Sequence, residues 1–203
     1  MDLVWHSWCA QIYTRSTRRA RTRAVASLHD ARYLSRHLQR VVAMTTPSVG
    51  DLIRREITRD EHNDIRALWK AHSIAEDRRD IGGLIATLTP DCVYELPQTG
   101  HQWHGHDGAE RFYRELLTAF PDIRFDLTNI VIGPQGVWEE ASVRGTRRGA
   151  WLGQPPTGQS TEFTVLIFFP WDPARRKFRG ERVYAFGDSV NDVLAAAAVH
   201  PNT

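Results

Sequence analysis

The feature that most constrains the fold is a change in hydrophobic period at Pro121. Before this residue, apolar side chains recur at helical spacing over residues 59–78 and 109–120. After it, apolar and polar residues alternate as they do in strands, beginning with Ile123 and Phe125. Helices that come first and strands that come later predict an α+β fold, because parallel α/β sheets alternate the two.

Start and stop signals divide the chain into elements. Thr58 and Glu61 have the spacing of a capping box, which starts a first helix over about residues 59–78. Asp80 can cap a short second helix that ends at Pro90, and Asp107 can cap a third. Strands are predicted at 92–96, 123–128, 137–147, 160–169 and 178–186, with a short C-terminal helix at 192–199.

The predicted strands also indicate how the sheet is covered. The strand at 160–169 is largely apolar on both faces, which predicts a central strand that is covered on both sides. A strongly bent sheet that helices wrap on one side forms a cone. Alternate strand residues would then line a ligand cavity inside it.

The N-terminal 43 residues differ in composition from the rest of the chain. They contain eight arginines but only two acidic residues, Asp2 and Asp30, so they account for the net charge of +2. We predict a basic extension over residues 1–43 and a single domain over residues 44–203, with a core at about 59–190. Three interpretations of the extension stay open: translation that starts at Met44, a disordered basic tail, and a targeting or membrane-surface segment.

Composition narrows the functional classes. No apolar run approaches the roughly 18 residues that span a bilayer, so no membrane partner is expected. Outside the N-terminal extension, acidic residues outnumber basic ones, which argues against a nucleic-acid partner. Cys9 and Cys92 are the two cysteines, and we expect no structural disulfide and a reducing, cytoplasmic location.

One short stretch is dense in titratable side chains. His101, His104, His106 and Asp107 fall within seven residues. No cysteine pair or His-Glu-x-x-His helix accompanies them, so we predict no metal site. His106 and Asp107 are better explained as the start of the third helix. His104, which follows Trp103, is the candidate to exchange a proton with a ligand, and its alternative is a surface histidine.

A set of short motifs occurs in an order that resembles a known family. The motifs are Pro90-Asp91-Cys92-Val93-Tyr94-Glu95, Trp103-His104-Gly105-His106-Asp107-Gly108, Phe112-Tyr113, Phe120-Pro121-Asp122, Gly149-Ala150-Trp151-Leu152-Gly153 with Pro156-Thr157-Gly158, and Gly180-Glu181-Arg182-Val183-Tyr184. Together they are similar to the SnoaL-like polyketide cyclases (ester cyclases) of the nuclear transport factor two-like superfamily. The resemblance covers about residues 60–190.

The resemblance implies a fold and a kind of chemistry. The fold is a cystatin-like α+β cone, in which a strongly curved, mostly antiparallel sheet is wrapped by three N-terminal helices. The family members are usually homodimers through the outer sheet face and have an apolar pocket for a hydrophobic small molecule. The cyclases use no cofactor and no metal. A carboxylate near the end of the last strand moves a proton next to a carbonyl group, and an aldol reaction closes the ring.

Two positions depart from the family pattern. Phe186 occupies the usual place of the carboxylate, and Asp188 lies two residues later, on the same face if the strand continues. Thr146-Arg147-Arg148 stands where members often have a histidine. We predict Asp188 as the base, assisted by His104 or Tyr184, and the alternative role of Asp188 is a cap. The predicted pocket residues are Trp69, Tyr94, Trp103, Tyr113, Trp138, Arg144, Trp151 and Phe186, although an outward position is favoured for Arg144.

Three functions remain open at this point. The first is a cyclase or isomerase that performs acid/base chemistry on a hydrophobic, carbonyl-bearing small molecule. The second is a non-catalytic cone that binds a small apolar ligand or serves as a dimeric interaction module. The third is an enzyme of the limonene-epoxide hydrolase kind, which would require a second inward carboxylate bridged by an inward arginine.

Overall fold

The structure is a computed structural model that describes residues 47–187. Four helices and six strands lie in this range, and the helices come mostly before the strands. They are α1 (Val49–Arg54), α2 (Arg59–Asp77), α3 (Ile81–Ala86), β1 (Leu88–Leu96), β2 (His101–His104), α4 (Gly105–Ala119), β3 (Arg124–Gly133), β4 (Gly136–Thr146), β5 (Ser160–Asp172) and β6 (Lys177–Phe186). The predicted α+β class is confirmed.

The six strands form one mostly antiparallel sheet in the order β2-β1-β6-β5-β4-β3. The β1–β6 pair is parallel, and the other four pairs are antiparallel. The strand register shifts within β1–β6, β3–β4 and β5–β6, and such irregularities bend a sheet and increase its twist. The sheet is therefore strongly curved without closing, as expected for a cone.

Gly180 shows how closely β1 and β6 approach each other. Its φ of 113° lies in a region that side chains rarely adopt, and a Cβ there would lie 1.9 Å from the Val93 carbonyl oxygen. Only glycine fits where β1 and β6 approach each other this closely. The next residue, Glu181, is buried in the interior.

The helix starts follow the sequence signals in two of three cases. Thr58 Oγ1 accepts a hydrogen bond from the backbone of Glu61 at 3.1 Å, and Asp80 accepts one from Gly83 at 2.9 Å. The prediction of Asp107 as N-cap was wrong, because the N-cap of α4 is His104, three residues earlier. Asp107 instead lies in the first turn, where its charge is favourable beside the helix dipole.

Pro90 also differs from its prediction. The second helix ends at Ala86, and Pro90 lies inside β1. It falls where the register with β6 shifts between Leu88 and Val93, a position at which a missing N–H is tolerated. The sequence analysis missed α1 and the four-residue β2. The N-terminal 43 residues and the predicted helix at 192–199 lie outside the described range.

The two faces of the sheet have different roles. The inner face, which packs against α2 and α4, carries the buried core residues of β4, β5 and β6. On the outer face, Trp138 stacks on Phe168 with ring centres 4.6 Å apart, and Tyr184 lies 6.3 Å from Trp138. Within residues 47–187, no helix has the length and apolar character to cross a membrane.

Candidate active site

A polar cluster lies in the otherwise apolar interior of the cone. His72 of α2 and Glu181 of β6 are both at least 95% buried, and His72 Nε2 lies 2.9 Å from Glu181 Oε1. The Tyr113 hydroxyl of α4 donates to the same carboxylate oxygen at 2.7 Å. The Tyr94 hydroxyl of β1 lies 3.1 Å from that of Tyr113. Side chains from three other elements, α2, α4 and β1, therefore gather around Glu181 of β6.

The hydrogen bonds of Thr87 fix the tautomer of His72. The Thr87 hydroxyl lies 2.6 Å from the Leu84 carbonyl oxygen and must donate to it, because a carbonyl only accepts. Thr87 Oγ1 must therefore accept the hydrogen bond from His72 Nδ1, which lies 2.7 Å away. Nδ1 carries a proton in this arrangement.

The contact between His72 and Glu181 then requires one further proton. With Nδ1 protonated, a neutral imidazole would turn the lone pair of Nε2 toward the carboxylate. The 2.9 Å distance is favourable only if a proton lies on Nε2 or on Glu181 Oε1. Two arrangements satisfy this contact: an imidazolium beside a carboxylate, and a neutral imidazole beside a carboxylic acid.

An apolar cavity of about 50 Å³ borders this cluster. Its two ionisable lining residues are Glu181 and Glu76, which lies one helical turn after His72 on α2. The remaining lining side chains are apolar or aromatic: Leu96, Phe112, Leu116, Ile123, Phe125, Trp151, Phe163, Val165, Ile167, Val183 and Ala185. The free space is about a third of the roughly 150 Å³ apolar cavity that accepts benzene.

Burial makes Glu76 a weak acid. Its removal from water raises the pKa of Glu76 well above the ordinary value, and the negative charges of Glu181, Glu139 and Asp77 raise it further, while Arg79 opposes them. The raised pKa favours the protonated form of Glu76, which can donate a hydrogen bond. The carboxyl groups of Glu76 and Glu181 are kept in different environments, which is how one site obtains an acid and a base.

A third interior carboxyl group, that of Glu139 on β4, is held by Trp69. Trp69 Nε1 donates to Glu139 Oε2 at 2.6 Å. Burial raises the pKa of Glu139 to about 7, although the hydrogen bond from Trp69 lowers it and the charge of Glu181 raises it. Glu139 does not border the cavity, but it adds to the negative field inside the cone.

The two tyrosines of the cluster remain protonated. Burial and the charge of Glu181 raise the pKa of Tyr94 and of Tyr113 well above the ordinary value. Both hydroxyls are thus hydrogen-bond donors at any pH near neutrality. The direction of donation runs from Tyr94 to Tyr113 to Glu181, because Tyr113 gives its only proton to the carboxylate.

The structure brings some of the predicted site residues together. Tyr94 and Tyr113 belong to the polar cluster, and Trp151 lines the cavity. Trp103 is buried and stacks near Trp151 with ring centres 6.5 Å apart, behind the cavity wall. Trp69 contacts the interior through the hydrogen bond that its Nε1 donates to the buried Glu139 carboxyl group.

The other predicted residues lie elsewhere. The outer face of the sheet carries four of them: Trp138, Arg144, Tyr184 and Phe186. On this face Phe186 is 49% exposed, and Arg144 forms an ion pair with Asp126. The expectation that they line the pocket is corrected, because the curvature of the sheet places the opposite set of alternate residues inside. The outward position favoured for Arg144 agrees with this placement.

His104 also lies apart from the cavity lining. His104 is exposed at the start of α4 and borders an outer groove with Glu95 and Arg182. Asp188, the predicted base, lies outside the described residues. Within residues 47–187, no group of three His, Cys, Asp or Glu side chains is arranged to hold a metal ion.

Sequence reasoning missed the residues at the centre of the site. His72, Glu76 and Glu181 were not predicted, although two signals pointed to them. His72 follows Ile65, Leu68 and Trp69 on the apolar face of α2. Glu181 lies on the same face of β6 as Val183, which points inward. A charged residue in an apolar face is informative, because its burial requires partners.

Comparison with protein families gives a match over most of the described domain. The family model described as the SnoaL-like domain matches residues 65–175. This range includes His72, Glu76 and Tyr113 but ends before Glu181. A search of curated proteins finds no match.

Solved structures with similar folds have low sequence identity to this chain. A proposed SnoaL-like polyketide cyclase from Jannaschia sp. CCS1 has a TM-score of 0.56 and 17% identity, over 71% of this chain and 98% of that one. AclR, a proposed hydroxylase from Streptomyces galilaeus, has a TM-score of 0.53 and 20% identity over 66% and 97%. A proposed polyketide cyclase from Xanthomonas campestris pv. campestris has a TM-score of 0.52 and 20% identity over 68% and 99%. These similarities concern the fold.

Proposed function

Because the chain belongs to the SnoaL-like domain family, we propose that it performs acid/base chemistry, without a cofactor, on a small hydrophobic molecule that carries a carbonyl group. The observation that carries this proposal is the pairing of two unlike carboxyl groups on one apolar cavity. Glu181 is held by His72 and Tyr113, and the raised pKa of Glu76 favours its protonated form.

The chemistry follows from the two protonation states. The carboxylate of Glu181 removes a proton from the carbon next to the substrate carbonyl, while Glu76 donates its proton to the carbonyl oxygen. The product is an enol, with Glu181 protonated and Glu76 ionised. General acid/base groups of this kind contribute about 10²- to 10⁴-fold to a rate.

Two completions of the reaction restore the starting enzyme. In an isomerisation, Glu181 returns its proton to another carbon of the substrate, and Glu76 recovers the proton of the enol oxygen. In an aldol cyclisation, the enol carbon attacks a second carbonyl group, whose oxygen takes the proton from Glu181, while Glu76 recovers the enol proton. The positioning residues are His72 and Tyr113, which hold the Glu181 carboxylate by hydrogen bonds.

Asp188 remains an alternative candidate for the base, although its predicted assistants His104 and Tyr184 do not line the cavity. The variants Glu181→Gln and Asp188→Asn separate the two assignments. The matched control is Glu162→Gln, an exposed position on β5. Thermal unfolding of each variant checks that the fold is intact before activity is compared.

The test follows deuterium exchange, which requires no knowledge of the natural substrate. The protein is incubated in D₂O with a panel of small ketones, from acetone upward in size, and loss of the proton signal next to the carbonyl is followed by NMR. We expect exchange above the buffer rate for at least one ketone and a loss of about 100-fold or more in Glu181→Gln. If no ketone exchanges, or if neither Glu181→Gln nor Asp188→Asn lowers the rate, the proposal is wrong.

A non-catalytic binding function is the second candidate. It is favoured by the small volume and apolar walls of the cavity, which suit a small ligand more than a large polyketide. In that case ketones would bind without exchange. The third alternative, an epoxide hydrolase, lacks support because no arginine is among the described residues that line the cavity.

We also propose that two copies associate through the outer sheet face, in a reducing cellular compartment. The support for association is the aromatic strip formed by Trp138, Phe168, Tyr184 and Phe186. Trp138 and Phe186 are 37% and 49% exposed. Exposed apolar side chains grouped on one face are typical of a protein contact surface.

A further inference from the structure

A second open space adjoins the apolar cavity. It is a cleft of about 560 Å³ between the end of α2 and the start of β3. Glu76, Ile123 and Phe125 line both the cleft and the cavity, so these three residues lie between the two spaces. Glu76 and Phe125 are only half-buried. Because the cavity of about 50 Å³ holds only a few atoms, most of a ligand that contacts Glu76 would lie in the cleft.

The cleft is much more polar than the cavity. Besides the three shared residues, its lining consists of Asp77, Arg79, Pro121, Asp122, Arg124 and Asp126. Two of these carboxylates already have partners. Asp122 accepts hydrogen bonds from the backbone N–H and the hydroxyl of Thr146, both at 2.7 Å, and Asp126 forms an ion pair with Arg144. Their negative charge is therefore stabilised by the protein itself, while two arginines remain in the lining.

Arg79 lies at the boundary between the cleft and the cavity. Its Nη2 donates to the Ile123 carbonyl oxygen at 2.5 Å, and its positive charge acts on Glu76, where it opposes the effect of burial on the pKa. Arg79 follows α2 with a φ of 57°, a left-handed conformation that usually belongs to glycine at a helix end. A side chain there is unfavourable for the backbone, so a role of the guanidinium group best accounts for an arginine at this position.

Most hydrogen-bond donors of Arg79 are free to bind a ligand. A guanidinium group has five N–H donors, and within residues 47–187 the Ile123 carbonyl is the one acceptor that this group contacts. Its planar shape matches a carboxylate, with which it forms two parallel, charge-assisted hydrogen bonds. A carboxylate bound at Arg79 would therefore lie in the cleft, close to the carboxyl group of Glu76.

We infer that the cleft is the outer part of the ligand-binding site and that Arg79 binds the carboxylate of an oxo acid. The carbonyl group of this ligand lies at Glu76, and its alkyl end occupies the apolar cavity. The inference rests on the carbonyl chemistry of the proposed function and names the substrate class for it, but it concerns binding and requires no turnover.

The test compares oxo acids with their neutral methyl esters. In 4-oxopentanoate, 5-oxohexanoate and 6-oxoheptanoate, two, three and four CH₂ groups separate the carboxylate from the carbonyl group. Dissociation constants are measured by NMR titration at about 0.15 M salt, where long-range attraction between charges is screened. For the unaltered protein we expect at least one acid to bind about tenfold more tightly than its ester.

The variant Arg79→Asn removes the guanidinium group and suits the backbone, because asparagine tolerates the left-handed conformation. We expect it to bring the ratio of the two dissociation constants close to one, through weaker binding of the acid alone. Arg78→Gln is the matched control, because Arg78 is an exposed neighbour that does not line the cleft. It removes the same charge and should leave the ratio unchanged. Thermal unfolding checks that both variants are folded.

A measurement on the unaltered protein covers the case in which Arg79→Asn does not fold. Backbone ¹H–¹⁵N signals of residues 76–79 and 122–126 should move when the acid is added, and they should move less with the ester. If no acid binds more tightly than its ester, if the ratio persists in Arg79→Asn, or if only signals elsewhere move, the inference is wrong. Deuterium exchange of neutral ketones is a separate readout, so either proposal can fail alone.

Discussion

His72 Nε2 and Glu181 Oε1 lie 2.9 Å apart in the interior of the cone, although 109 positions separate them in the sequence. His72 is 1% exposed and Glu181 is 4% exposed, so the pair is removed from solvent. Such a pair stabilises the fold only when its geometry is good and its remaining hydrogen bonds are made. Thr87 and Tyr113 provide those bonds.

Loss of His72 should therefore destabilise the protein strongly. His72→Leu removes the partner and leaves Glu181 buried, with an expected loss of about 3–5 kcal/mol in the free energy of unfolding. Denaturant unfolding measures it. Arg144→Ala is the comparison, because the exposed pair of Arg144 with Asp126 should contribute less than about 1 kcal/mol. Equal losses in the two variants would contradict the assignment of the interior pair.

Stability should depend on pH through Glu139. Its pKa is raised by burial from the ordinary value of 4.5 to about 7, so the folded protein binds the extra proton. The contribution of Glu139 to the free energy of unfolding is then highest below pH 4.5. It falls as the pH rises from 4.5 to about 7, and it is constant at higher pH. The total loss is on the order of 3 kcal/mol.

The variant Glu139→Gln isolates this effect. A neutral side chain still accepts the hydrogen bond from Trp69, but it carries no charge that must be buried. Relative to the unaltered protein, Glu139→Gln should gain stability progressively between pH 5 and pH 7 when chemical unfolding is followed across that range. Glu140→Gln, at the exposed neighbouring position, should change the profile little. A gain that does not depend on pH would point to a cause other than this charge.

Gly180→Ala should disrupt the contact between β1 and β6. The added methyl group would lie 1.9 Å from the Val93 carbonyl oxygen, and the φ of 113° is unfavourable for alanine. We expect a loss of several kcal/mol, or failure to fold, because strained backbone and overpacking add. Gly153→Ala is the control, since it has a positive φ of 77° but open space around it. Similar stability of the two variants would argue against close packing as the reason for Gly180.

The proposed homodimer can be tested on the outer face. Trp138 stacks on Phe168 and is 37% exposed, so a charge there would be buried in any contact through this strip. Trp138→Glu should convert a dimer to a monomer in light scattering after gel filtration, with the fold retained. Val131 on the edge strand β3 is the cross-strand partner of Trp138 and is 62% exposed, so Val131→Glu places a charge on the same face and should also weaken the dimer. A monomer at all concentrations of the unaltered protein would exclude the dimer.

Much of the fold could be predicted from short-range patterns. The strand predictions at 137–147, 160–169 and 178–186 agree with β4, β5 and β6 to within three residues at each end. The first helix was placed to within one residue, because the Thr58 cap acts locally. The errors at Asp107 and Pro90 arose where strand pairing overrides local preference. Strand β2 pairs with β1 and leads directly into α4, and Pro90 lies in β1, which pairs with β6.

The site could be predicted only in part. The burial of Tyr94, Tyr113 and Trp151 follows from their sequence patterns, since large aromatic side chains in apolar patterns are usually buried, while their contact with a ligand stays a prediction. Tyr184 and Phe186 follow the same rule but lie on the outer face. Alternation divides β6 into two faces without indicating which one is inside.

The sequence by itself determined the order and type of the elements, the family resemblance and the two faces of each strand, because these depend on residues close together in the chain. The tertiary structure decided which face of β6 is inside and that Glu181 meets His72 and Tyr113 there. The physical reason is that a buried carboxyl group requires partners, and those partners come from α2 and α4, far away in the sequence.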